Sequence, residues 1–132
     1  MVRSSRAVAQ ALVESALVLP FVVTLSLGVL QVVLYVHARD VLVTSVQEGA
    51  RLASEDGRAP DEGLARAQSL VSAGMGRALD PLHLQVVADD QVVTLSASAG
   101  LRPIVPLPWV DEWPLHAVAR VSRERFRPGG VG

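Results

Sequence analysis

The sequence predicts an α+β fold. A long N-terminal helix of membrane type runs into a small domain in which a second helix packs on a three-stranded antiparallel sheet. Three observations carry that expectation. From Ala7 to Ala38 the only formal charge is Glu14. Residues 60–79 place apolar side chains at helical spacing, and residues 82–99 switch to strict alternation. The chain has 132 residues, half of them hydrophobic, which suits one small globular domain plus an additional segment.

The first element follows from length and polarity. Ala16 to Val36 is interrupted only by Pro20, Thr24, Ser26, Gly28 and Gln31. An apolar run of more than about 18 residues reads as a membrane helix. Arg3 and Arg6 precede it, and Arg39 and Asp40 follow it. A basic start before an apolar run also fits a secretory signal, but this run exceeds the usual signal core of about 7–15 residues. It holds Pro20 and an early acid, and Val36-His37-Ala38 makes a poor cleavage site. A signal-anchor is the better reading. The positive-inside bias puts the N-terminus in the cytoplasm and the domain from residue 38 outside it. Tyr35 and His37 fall at headgroup depth, where amphipathic rings concentrate.

Glu14 raises the chemical question. An ionisable group within a membrane helix costs about 2.5–3.5 kcal/mol on insertion scales and is usually paired. A solvated position at headgroup depth accounts for it if the span starts at Ala16. The run from Gln10 to Val36, however, makes about 40 Å of helix, longer than a hydrocarbon core of about 30 Å. Gln10 and Glu14 stand one turn apart on one face. Pro20 lacks the N–H that would bond the Ala16 carbonyl, so it marks a kink or flexible point.

Residues 38–54 continue the helix, with Leu42, Val46, Gly49 and Leu52–Ala53 at helical spacing. Gly49 costs about 1 kcal/mol against Ala in a helix; it either permits close approach of another backbone or is simply tolerated there. Glu48 and Arg51 are expected to pair at i, i+3 on the solvated face. A loop at 55–60 leads to Pro60-Asp61-Glu62, where Pro suits a first helical turn and the acids suit its positive end. Leu64, Ala67, Val71, Met75 and Ala78 form the apolar stripe of this second helix, expected to last to about residue 79 and to end at Asp80-Pro81.

The first hairpin strand carries Leu82, Leu84, Val86 and Ala88 on its buried face. Asp89-Asp90 turns the chain, and Val93, Leu95, Ala97 and Ala99 face the core from the second strand. A third strand at 115–125 directs Leu115, Ala117, Ala119 and Val121 inward. The connection 101–114 is stiffened by Pro103, Pro106, Pro108 and Pro114. Its two tryptophans, Trp109 and Trp113, either cap the open edge of the sheet core or form a contact surface for another subunit or the membrane. Arg120, Arg123, Arg125 and Arg127 read as a solvated last strand before a Pro128-Gly129-Gly130 tail.

Several function classes find no support. With no cysteine there is neither disulfide nor thiolate metal site. His83 and His116 lie on different strands, away from the predicted core, and no metal site is expected. A net charge of −1 gives no basic surface for nucleic acid. Nucleophile elbow, phosphate loop and zinc spacing are all absent, so neither enzyme activity, cofactor nor small-molecule substrate is expected.

Ala9-Gln10-Ala11-Leu12-Val13-Glu14 resembles a type IV prepilin processing site. With Ala16-Leu17-Val18-Leu19-Pro20 and Glu48-Gly49-Ala50-Arg51, it resembles the TadE-like family of tight-adherence pilus systems over residues 9–53. The soluble remainder matches only in layout, ending in a strand with Arg123-Glu124. Two departures stand out: Ala9 where the family usually has Gly, and Ser15 where an aromatic is common.

The resemblance implies a minor pilin or pseudopilin. Residues 1–9 are then a basic leader, 10–37 a transmembrane and assembly helix, and 38–132 an extracytoplasmic domain. It implies cleavage between Ala9 and Gln10 by a prepilin peptidase, with Glu14 fifth in the mature chain. The partners implied are the membrane and other pilin-like subunits, and the role is structural, in pilus assembly and surface adhesion. Cleavage would place a new amine at Gln10, one turn from Glu14, and losing Arg3 and Arg6 takes the net charge from −1 to −3.

Overall fold

A computed structural model of the protein describes residues 2–123. Its elements are α1 (Val2–Ser54), α2 (Pro60–Met75), β1 (Leu79–Ala88), β2 (Val92–Leu101) and β3 (Trp113–Ser122). The fold is α+β, as the sequence predicts. The chain divides into two compact units, Met1–Leu34 and Tyr35–Gly132.

In the first unit α1 carries Leu12, Leu17, Phe21, Leu25 and Val29 exposed, a surface suited to lipid. α1 is apolar and long enough to cross a membrane. It remains helical through Pro20. Its hydroxyls turn back on the backbone: Thr24 Oγ1 donates to the Pro20 carbonyl at 2.8 Å, and Ser26 Oγ to that of Val22 at 2.8 Å. Neither hydroxyl therefore enters an apolar medium without an acceptor.

The second unit is a sheet in the order β1-β2-β3, antiparallel throughout. β2 is central, so its Val93, Leu95, Ala97 and Ala99 are buried as the alternation requires. β3 contributes Leu115, Ala117 and Ala119. Against this face lie α2, through Ala67 and Val71, and the last part of α1, through Ala38, Leu42, Val46 and Ala50. The end of α1 is thus a core helix, a role that the sequence reading gave to α2 alone.

Four expectations are corrected. α2 ends at Met75 rather than near residue 79, because Gly76 takes φ +56° and donates its N–H to the Ser72 carbonyl. Ala78 is consequently exposed, and β1 starts at Leu79, whose side chain is buried. Ala88 is exposed beside the 89–91 turn, while Leu82, Leu84 and Val86 are half-buried. Glu48 and Arg51 are exposed without forming an ion pair; the pairs among the described residues are Arg58 with Glu55 and Glu62, and Arg102 with Asp80. Of the third strand expected at 115–125, residues 124–125 lie outside the described residues, as do Arg127 and the Pro128-Gly129-Gly130 tail.

Candidate functional site

Two segments of α1 carry the residues singled out by sequence. In the first unit Ala9, Gln10 and Glu14 are exposed, and Gln10 and Glu14 stand one helical turn apart. Ala9 and Gln10 lie in the opening turns of α1, where helices open most readily. Pro20 follows Glu14 by six residues, within unbroken helix.

The second segment, Glu48-Gly49-Ala50-Arg51, lies in the second unit and is divided by helical periodicity. Glu48 and Arg51 are exposed; Gly49 and Ala50 are buried. Gly49 has a packing reason that its sequence context only hinted at. A β-carbon there would stand 2.6 Å from the Gly63 carbonyl oxygen, 2.8 Å from Ala67 Cβ and 3.1 Å from Leu95 Cδ1. The approach is mutual: a β-carbon on Gly63 would meet the Gly49 carbonyl oxygen, and Ala53 Cβ at 2.6 Å. α1 and α2 therefore cross backbone against backbone at Gly49 and Gly63. Sequence reasoning missed Gly63. The signal was available, since a glycine within the first turns of a helix that otherwise reads well is costly unless space demands it.

The C-terminal end of α1 is charged. Glu55, Asp56, Arg58, Asp90 and Arg123 line a cleft beside Ser54. Arg58 donates to Glu62 Oε2 at 2.8 Å and lies 3.7 Å from Glu55. The hydrogen bond to Glu62, then the charges of Glu62 and Glu55, raise the guanidinium above its ordinary value. A group raised in this way supports the fold at every pH below its ordinary range and loses that contribution only as pH climbs through the raised value. These side chains lie on the surface in contact with solvent, so the two pairs do little for stability.

The 101–114 connection is organised around a tight turn. The Val110 N–H donates to the Leu107 carbonyl at 3.2 Å, which leaves Pro108 and Trp109 at its tip. Trp109 is 78% exposed and so does not cap the sheet core, which corrects the simpler of the two readings of this residue. Trp113 opens β3, 38% exposed, with its ring 6.0 Å from that of Tyr35 and tilted by 60°.

On the outer face of the sheet His83 and His116 flank Ser98 from opposite sides. No group of three or more His, Asp or Glu among the described residues is placed to hold a metal ion.

Comparison with known proteins gives no significant match among curated proteins or solved structures. The family model described as TadE-like protein, by contrast, matches residues 9–51, a stretch that begins at Ala9 and closes on Arg51 of the Glu-Gly-Ala-Arg motif.

Proposed function

We propose that the protein is a minor pilin or pseudopilin of a tight-adherence pilus system. It would be anchored by α1, processed between Ala9 and Gln10, and structural rather than catalytic in its role. The observation that carries this reading is the TadE-like match over 9–51, which suggests a protein associated with such a pilus and bearing an N-terminal membrane helix.

Processing has a physical purpose in this proposal. It exposes an amine at Gln10 and removes Arg3 and Arg6, whose charges oppose withdrawal of the helix through the bilayer. Glu14 then stands on the same face as the new amine. In a low-dielectric setting an unpaired charge is penalised, so the carboxylate favours one register against the amine of its own or a neighbouring subunit. The domain following α1 would lie outside the cytoplasm and meet other pilin-like subunits or the adhesion surface. The inner membrane is the location this implies.

N-terminal sequencing after co-expression with a prepilin peptidase tests the proposal. A mature start at Gln10 is expected. Ala9, standing where such sites usually carry Gly, favours a second reading: an unprocessed single-pass anchor displaying a small binding domain. An intact start at Met1 or Val2 in the presence of an active peptidase would select it.

A further inference from the structure

We infer that the outer face of the sheet carries a site for a divalent transition-metal ion of the zinc type, held by His83 and His116 across Ser98. The site lies wholly within the second unit. It rests on neither the membrane reading of α1 nor pilin processing.

Along the chain the two histidines fall on different strands, and nothing in their spacing joins them. Strand register does. His83 of β1 and His116 of β3 both stand opposite Ser98 of β2, so the three form one row across the sheet. Neighbouring strands lie about 4.8 Å apart, which puts the two histidine backbones about 9.6 Å apart. Two imidazoles leaning over the row, each with a bond of about 2.0–2.1 Å to a shared ion, span such a gap. The residue between them decides whether they can lean, and Ser98 is small enough to leave the space above β2 open.

The surroundings agree with this. Both histidines line the same two clefts, one running past Gly100 toward Glu112, the other past Ser96 toward Gln85. Among the described residues neither imidazole takes part in a hydrogen bond or ion pair, so its nitrogens are available.

Local charge favours a dication. Glu112 lines the first cleft with both histidines, and its side chain lies over Gly100, in the space a β-carbon there would need. No ion pair neutralises Glu112 among the described residues, whereas Arg102 is held by Asp80 at 3.1 Å. Arg120 shares this face of β3 but stands four residues from His116, about 14 Å along the strand. No third His, Asp or Glu among the described residues is placed as a ligand. The chain therefore supplies two bonds, water completes the coordination, and Glu112 acts as an outer charge. Imidazole nitrogens suit Zn²⁺, Ni²⁺ and Cu²⁺, while Mg²⁺ and Ca²⁺ take oxygen ligands. The ion would tie edge strand β1 to edge strand β3 across β2.

Calorimetric titration of the untagged, chelator-treated full chain in mild detergent tests this, with Zn²⁺ as the probe and Mg²⁺ beside it. About one Zn²⁺ per chain should bind and raise the thermal midpoint, and Mg²⁺ should do neither. His83→Ala and His116→Ala should each weaken Zn²⁺ binding by about tenfold or more. His37→Ala, at the remaining histidine, should change nothing. Ser98→Leu keeps both ligands and should weaken binding by filling the space between them. Glu112→Gln should weaken it less than loss of either histidine. Both histidines are exposed, so the metal-free melts of their variants should match that of the unaltered chain.

Undiminished binding in both histidine variants would overturn the inference and move the ion to carboxylates elsewhere. A loss in only one of them would overturn it too, since it marks a single-ligand contact. So would an unaltered chain that shows no saturable uptake of Zn²⁺.

Discussion

Glu14 and Gly49 show how differently single residues act in the two units. Glu14 is exposed on an apolar helix, and its cost is felt only in lipid. Replacing it with Ala should leave membrane insertion intact and impair assembly with other subunits. Membrane fractionation beside a count of pili checks this, and normal piliation in the mutant would remove the pairing mechanism. Gly49 acts through space. Substitution by Ala gains about 1 kcal/mol of helix propensity. The added carbon, however, meets the Gly63 backbone at 2.6 Å, and backbone cannot swing aside as a side-chain tip can. Gly49→Val adds branching at the same point and should destabilise the second unit by about 1–3 kcal/mol, as overpacking does. The denaturant midpoint of the full chain in mild detergent, read from Trp113, measures it. Gly28, with nothing within 4 Å of a β-carbon, is the control: Gly28→Ala should leave that midpoint unchanged.

At the scale of elements, β2 holds the second unit together. It is paired on both sides, and it carries five buried hydrophobic residues in strict alternation, Val93, Leu95, Ala97, Ala99 and Leu101. Leu95 is fully buried and also touches the glycine crossing. Leu95→Ala should cost about 2–5 kcal/mol. Val87 on the outer face of edge strand β1 should tolerate Ser within about 0.5 kcal/mol. Thermal or denaturant melts of the two variants should therefore separate clearly, and equal losses would mean that the face assignment is wrong. The strands were legible in the sequence because a period of two survives even when the residues are small, as with Ala97, Ala99, Ala117 and Ala119. The end of α2 was not. Met75 and Ala78 extend the apolar stripe on paper, yet Gly76 adopts a left-handed φ and ends the helix before Ala78 can use it. Periodicity records which residues could face a core, not where the backbone departs.

For the whole molecule the testable property is orientation. Arg3 and Arg6 before the apolar run predict a cytoplasmic N-terminus. A reporter that is active only outside the cytoplasm, fused after the second unit, should be active, and an Arg3→Glu, Arg6→Glu double variant should reduce that activity. Unchanged activity in the double variant would show that the two arginines do not set the orientation.

Read by itself, the sequence determined the α+β class, the apolar helix with its single acid, the three strands and the face each presents. It also carried the TadE-like motifs at both ends of residues 9–51, a stretch that the family model matches. All of these are local patterns of period, charge and spacing. Only the tertiary structure decided that the last turns of α1 serve as a core helix and that Gly49 answers to Gly63. It likewise decided that Trp113 rests on Tyr35 while Trp109 stands in the open. Each of these joins residues 14 or more positions apart, or depends on what a turn leaves uncovered. Such contacts arise when elements pack, and they leave no period in the chain to announce them.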